Sequence, residues 1–203
     1  MYGAFGEDEG LLLISGTGSI CLGQADAGQT RYRAGGFGHL IDDEGSAYAI
    51  GRDIAAAVVR AEDGRGPQTV LRDILYGHLG ISSSSELVGY VYAMDHTKKE
   101  IARLAPLISL PGTESDEACG QIVAKAVAGL LEMVIAVHSK MQARCGRSGF
   151  PLVLHGSVLR GNARIAGELT ETLFARLPGI RIIQARADAA HGAVGLARKL
   201  SST

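Results

Sequence analysis

Residues 11–23 read LLLISGTGSICLG, two apolar runs joined by a turn of glycines and hydroxyl residues. Short apolar runs bounded by turn-forming residues predict a β-hairpin. Downstream, QTRYR at 29–33 alternates and is expected to add a third strand. Upstream, Glu7, Asp8 and Glu9 form an acidic turn into the first strand, which begins so near Met1 that the fold is expected to be entered in mid-architecture.

The middle of the chain changes period. SAYAIGRDIAAAVVRAE at 46–62 is Ala-rich with helical spacing, and either Ser46 or Asp43 stands where an N-cap belongs. GRGPQT at 64–69 breaks that helix. Helices are expected at 67–79 and 84–94, with Ser82–Ser85 as loop and N-cap between them, and at 96–107, ending near Pro106. The longest element spans 114–145, with acids at its start and Lys140 and Arg144 at its end, matching the helix macrodipole. Its apolar positions, among them Val127, Leu130, Leu131 and Val134, cover more than half the circumference. Such breadth predicts a central helix buried on most sides, with a homodimer contact or a second lobe as possible partners.

After it come a strand at 151–154, a turn at His155-Gly156-Ser157, a helix at 162–177, a strand at 180–183 and a helix at 188–200. A hairpin, then helices, then strand–helix–strand–helix is the order of an α/β fold with a mixed sheet and flanking helices. No repeat, low-complexity segment or linker divides the 203 residues, so one domain is expected.

Composition narrows the function classes. The net charge of −1 gives no broad attraction to nucleic acid or an anionic membrane. Trp is absent and aromatics are 5%, which argues against base-stacking platforms. Cys21, Cys119 and Cys145 lack metal-ligand spacing, and Cys21 and Cys119 sit in apolar patterns that predict buried thiols. Without a signal peptide or a run of 18 apolar residues, the expectation is a cytoplasmic protein. There is no Walker A string and no GxSxG, which excludes a P-loop nucleotidase and leaves no support for a Ser-His-Asp triad.

Three segments carry possible chemistry. Ser15-Gly16-Thr17-Gly18-Ser19 would expose successive N–H groups and hydroxyls in one concave spot, a nest for phosphate oxygens, or it is an ordinary tight turn. Gly35-Gly36-Phe37-Gly38-His39, followed by Asp42-Asp43-Glu44-Gly45-Ser46, lets backbone fold against a ligand with acids near sugar hydroxyls, or the acids are helix caps. His39 reads as a structural hydrogen-bonding residue. Leu154-His155-Gly156-Ser157 puts amides at a strand's carboxyl end, where open α/β sheets bind ligands, or it is a β-to-α turn needing glycine.

Taken in order, LLLISGTGSI (11–20), GGFGHLIDDEGSAYAIG (35–51), IARLAPL (101–107), LVLHGSVL (152–159) and AAHGAVGLA (189–197) resemble the actin-like kinases of the N-acetylglucosamine kinase and BadF/BadG/BcrA/BcrD ATPase family. The likeness runs along essentially the whole chain, and its middle string is the most specific. It implies an actin-like ATPase (ribonuclease H-like) lobe that uses ATP and Mg²⁺ on an amino sugar such as N-acetylglucosamine. It implies ATP binding by Gly16, Thr17, Gly18 and Ser19 at the β- and γ-phosphates and by Gly156 and Ser157 on the adenosine side. Gly35, Gly36 and Phe37 would line the sugar pocket, and Asp43 would hydrogen-bond a sugar hydroxyl. The family often carries Trp where this chain has Phe37.

The resemblance also implies a first lobe with an Asp-Gly-Gly-type phosphate loop that helps hold Mg²⁺, and an aspartate base shortly before the ISGTGS strand. Asp8 reads as part of the acidic turn and not as that base. The expectation is therefore a C-terminal lobe over 1–203, with the N-terminal lobe absent and with no kinase activity by itself. A dehydratase-activating ATPase with an iron–sulfur cluster and a non-catalytic binding module are the alternatives.

Overall fold

The computed structural model describes residues 1–94 and 97–201. Its centre is a five-stranded sheet in the order β3-β2-β1-β4-β5, built from β1 (Gly10–Ser15), β2 (Ser19–Ala25), β3 (Thr30–Gly35), β4 (Pro151–His155) and β5 (Arg181–Ile182). β1, β2 and β3 run antiparallel through tight turns, while β4 joins β1 in parallel and β5 joins β4 in parallel. The sheet is mixed, as expected. Leu11 and Leu13 of β1 and Leu152 of β4 are fully buried in the main core, while the alternating Leu12 and Val153 face a smaller cluster on the other side.

One face is covered by helix α6 (Glu117–Cys145), which packs along β1, β2 and β3. Its buried side chains include Val123, Leu130, Val134, Val137 and Met141. Glycine lets this helix come close: a Cβ on Gly23 of β2 would lie 2.5 Å from Val137 Cγ1. Helices α2 (Ala47–Glu62) and α8 (Ala163–Arg176) flank α6, so its apolar breadth is taken up by elements of this chain. By length and hydropathy α6 matches a membrane span, but it is a core helix here, half buried within the fold. The other face of the sheet is partly covered by α1 (Tyr2–Phe5) and α9 (Ala189–Ser201), which pack together.

Several boundaries differ from the sequence expectation. The first long helix starts at Ala47 and is capped by the Ser46 hydroxyl, which accepts from Ala49 N at 3.2 Å. Asp43 does not cap it. The longest helix starts at Glu117, because Asp116 caps it through Cys119 N and also accepts from Val70 N and Thr69. That bond network delays the neighbouring helix, α3 (Leu71–Leu79), and α4 (Ser84–Val91) ends short of residue 94. The helix expected over 96–107 is two elements, α5 (Lys98–Ala102) with a Thr97–Glu100 capping box, and a 3₁₀ turn, Ala105–Ser109, with Pro106 in its first turn. The expected start at His96 lies outside the described residues. A short helix, α7 (Ser157–Gly161), precedes α8, and Asn162 caps α8 through Ile165 N at 2.8 Å.

Candidate functional site

β1 and β4 are parallel neighbours, with Ile14 opposite His155, and each runs at its carboxyl end into a glycine turn. The two turns meet. A Cβ on Gly16 would lie 3.8 Å from Ser157 Oγ, and a Cβ on Gly156 would lie 2.0 Å from the Ser15 carbonyl oxygen. Gly156 has φ 110°, so only glycine suits both its backbone angle and this close approach.

The turn between β1 and β2 closes by Gly16 N donating to Gly18 O at 2.9 Å. Its sides are stitched to the segment before α2. Ser15 Oγ–H donates to Gly45 O at 2.7 Å, Ser19 Oγ–H donates to Glu44 O at 2.7 Å, and Ser19 N donates to Asp43 Oδ1 at 3.1 Å. The first amides of α2 close the ring, Ala47 N onto Gly16 O at 2.8 Å and Tyr48 N onto Thr17 O at 3.4 Å. Ser15, Ser19, Asp43 and Ser46 are all buried. Among the described residues, the N–H groups of Thr17 and Gly18 meet no acceptor. Two free amides at a turn beside the N-terminus of a 16-residue helix, with the Asp43 carboxylate against Gly18, form a small donor cradle.

Beside the cradle lies a recess of about 180 Å³, lined by Ala47, Ile50, Ala105, Pro106, Ser157 and Val158 among others. Asn162 anchors its far wall by donating from Nδ2 to Ser109 Oγ at 2.8 Å.

Gly35 is the last residue of β3, paired with Ile20, and its Cβ would lie 3.4 Å from Ser19 O. The loop that follows therefore starts next to the cradle and runs outward. Phe37 is 65% exposed, Leu40 86% and Ile41 83%. His39 packs edge-on against Tyr48 of α2, with ring centroids 4.6 Å apart.

The structure thus brings Gly16, Thr17, Gly18, Ser19, Asp43, Gly156 and Ser157 together, with Gly35 and Gly36 at the rim and Phe37 turned to solvent. Asp43 lies against the turn itself, since a Cβ on Gly18 would fall 2.9 Å from either carboxylate oxygen. Sequence reasoning missed three contributors. Pro106, Ser109 and Asn162 line the recess, but nothing in their spacing pointed there. Asp8 and Glu9 lie at the opposite end of β1, ion-paired with Arg186 and Arg147 respectively.

Cys21 and Cys119 are buried, and burial pushes both thiols up to about 12. Cys119 and Cys145 sit at opposite ends of α6, roughly 39 Å apart at 1.5 Å per residue. Among the described residues, no three His, Cys, Asp or Glu side chains gather as a metal site.

The family model for the BadF/BadG/BcrA/BcrD ATPase family matches residues 1–197. The N-acetylmuramic acid/N-acetylglucosamine kinase of Clostridium acetobutylicum is 34% identical over 198 residues, covering 98% of this chain and 64% of that protein. The N-acetyl-D-glucosamine kinase of Dictyostelium discoideum is 30% identical over 196 residues, covering 96% and 61%. A crystal structure assigned to an N-acetylglucosamine kinase of Chromobacterium violaceum superposes with a TM-score of 0.71 at 25% identity, covering 95% of this chain and 61% of that one. This chain therefore spans less than two thirds of the length of these relatives. A mixed sheet with flanking helices, two converging glycine turns and a match along nearly its whole length agree that the chain belongs to the BadF/BadG/BcrA/BcrD ATPase family, with the actin-like ATPase fold.

Proposed function

We propose that this chain is the C-terminal lobe of an ATP-dependent kinase acting on N-acetylglucosamine or a related amino sugar. One observation carries the reading: the Gly16–Ser19 and Gly156–Ser157 turns converge at the carboxyl ends of adjacent parallel strands, where an open α/β sheet receives its ligand. The kinase names of the two curated relatives support the same chemistry.

The residues present fit a nucleotide. The free amides of Thr17 and Gly18 would donate to phosphate oxygens, and no side chain at Gly16 or Gly18 stands in the way. The recess beside Ser157 and Val158 would take the base, its apolar wall supplied by Ile50, Ala105 and Pro106. When bound, ATP supplies the transferable phosphoryl group. Mg²⁺ commonly needs only one or two carboxylates besides phosphate oxygens and water, and this chain offers no protein cage for it among the described residues. On the sugar side, Gly35, Gly36 and Phe37 form the rim. Asp43 is held buried at the cradle, where one oxygen accepts from Ser19 N.

Asp43, the buried acid at the cradle, is engaged by Ser19 N, and we assign it no role as base. Asp8 is ion-paired at the far end of β1. Phosphoryl transfer depends on positioning and charge neutralisation around the reacting oxygens. We therefore assign the base and the metal-holding loop to a preceding lobe, and expect the 203-residue chain to bind ATP and N-acetylglucosamine without turnover. Calorimetry with each ligand and a coupled ADP-release assay test this. Steady phosphorylation by the chain alone would overturn the two-lobe reading; sugar binding without turnover would equally fit a non-catalytic binding module, and failure to bind either ligand would mark a plain fragment whose site needs the other lobe. The burial of Cys21 and Cys119 speaks against a cluster-bearing dehydratase activator.

A further inference from the structure

We infer that Arg33 is a positioning residue that holds the loop after β3 in a preformed shape. Arg33 lies two residues before the end of that strand and reaches forward over the loop. Its Nε donates to Gly35 O at 2.8 Å, its Nη2 donates to Gly36 O, and its guanidinium carbon stands 4.3 Å from the centroid of the Phe37 ring. One side chain thus ties two successive carbonyls and covers the ring that follows them.

The rest of the loop closes onto the same point. Phe37 N donates to Asp42 Oδ2 at 2.9 Å, and Gly38 O accepts from Ile41 N at 3.2 Å and Asp42 N at 2.9 Å. These bonds fold 37–42 into a tight knot that carries Phe37, Leu40 and Ile41 largely in water. Burial cannot hold such a loop, because its large apolar side chains are outside the core. Directed contacts must hold it, and Arg33 supplies three of them.

The chemistry requires arginine. A planar guanidinium can donate along its edge and stack through its face at once, whereas a lysine ammonium is a point charge that cannot do both. A loop that is already shaped loses less freedom on meeting a ligand, so apparent affinity rises with the fraction of molecules in the competent shape. The identity of that ligand rests on the amino-sugar reading above; the brace itself does not.

The chain contains no Trp, so Phe37→Trp places a single reporter at the braced position. In that background, Arg33→Ala and Arg33→Lys are compared by acrylamide quenching, by anisotropy and by N-acetylglucosamine titration, with urea midpoints as a folding control. The inference expects the quenching constant to rise about twofold or more in both variants, with midpoints unchanged, as a released loop samples more open shapes. Sugar affinity should fall roughly three- to tenfold in both, the amount lost when the competent fraction drops to a third or a tenth. Unchanged quenching in Arg33→Ala, or full recovery in Arg33→Lys, would overturn the inference whatever the sugar does. A quenching change with no response to the sugar in any variant would support the brace and sink the amino-sugar reading instead.

Discussion

The β1–β2 turn and the loop after β3 begin one strand apart and are held by opposite means. The turn is fixed by buried polar groups: Ser15, Ser19, Asp43 and Ser46 are each at most 3% exposed, and every one bonds to backbone. The loop is held in water by Arg33 and Asp42 at its surface. A buried bond that is lost leaves an unsatisfied partner, whereas an exposed one is replaced by water. The contrast teaches where this chain is rigid and where it can be altered. Under the proposed function, a phosphate cradle made of backbone needs fixed geometry, while a rim at Gly35, Gly36 and Phe37 held by surface contacts tolerates exchange.

The comparison can be broken by mutation, beginning with the largest effect. Gly156→Ala forces a methyl to within 2.0 Å of Ser15 O at φ 110°, and should cost about 3 kcal/mol or more in urea unfolding. A loss under about 1 kcal/mol would mean that the two turns are not locked together. Asp43→Ala removes a charged acceptor from Ser19 N and puts alanine at φ 71°, for a loss of about 2–3 kcal/mol. Asp43→Asn should lose clearly less, because asparagine tolerates that backbone angle and keeps an acceptor. Ser46→Ala deletes the α2 cap and should lower stability by about 1 kcal/mol. Phe37→Ala should leave stability within about 0.5 kcal/mol, since the ring is mostly in water, while weakening sugar binding. A large stability loss at Phe37 would erase the distinction between the two regions.

Much of the fold was legible because its signals are local. The hairpin at 11–23 showed as apolar runs around glycines, and the long helix as sustained periodicity with charges matched to its ends. Local signals failed where tertiary bonds decided the outcome. Ser46 and Asp43 were equally good caps on paper, and only the approach of the β1–β2 turn separates them, drawing Asp43 to Ser19 and leaving Ser46 to cap. Pro106 suggested a helix end, but a residue without an N–H also suits the first turn of a new helix, and it sits there in the 3₁₀ turn. Helix α7, at five residues, is too short to show a period. The members of the site were nameable through family likeness, but their meeting was not. Gly16 and Ser157 are brought together by the parallel pairing of β1 with β4, a contact between distant parts of the chain that no spacing encodes.

The central claim is that those two turns form one nucleotide site, and amide chemical-shift mapping of the ¹⁵N-labelled chain with a Mg²⁺-bound non-hydrolysable ATP analogue tests it most directly. The account predicts that Thr17, Gly18, Gly156 and Ser157 shift together at one saturating concentration, while Arg147 and Arg181 at the far end of the sheet stay still. Shifts confined to one turn, or none in either, would contradict it.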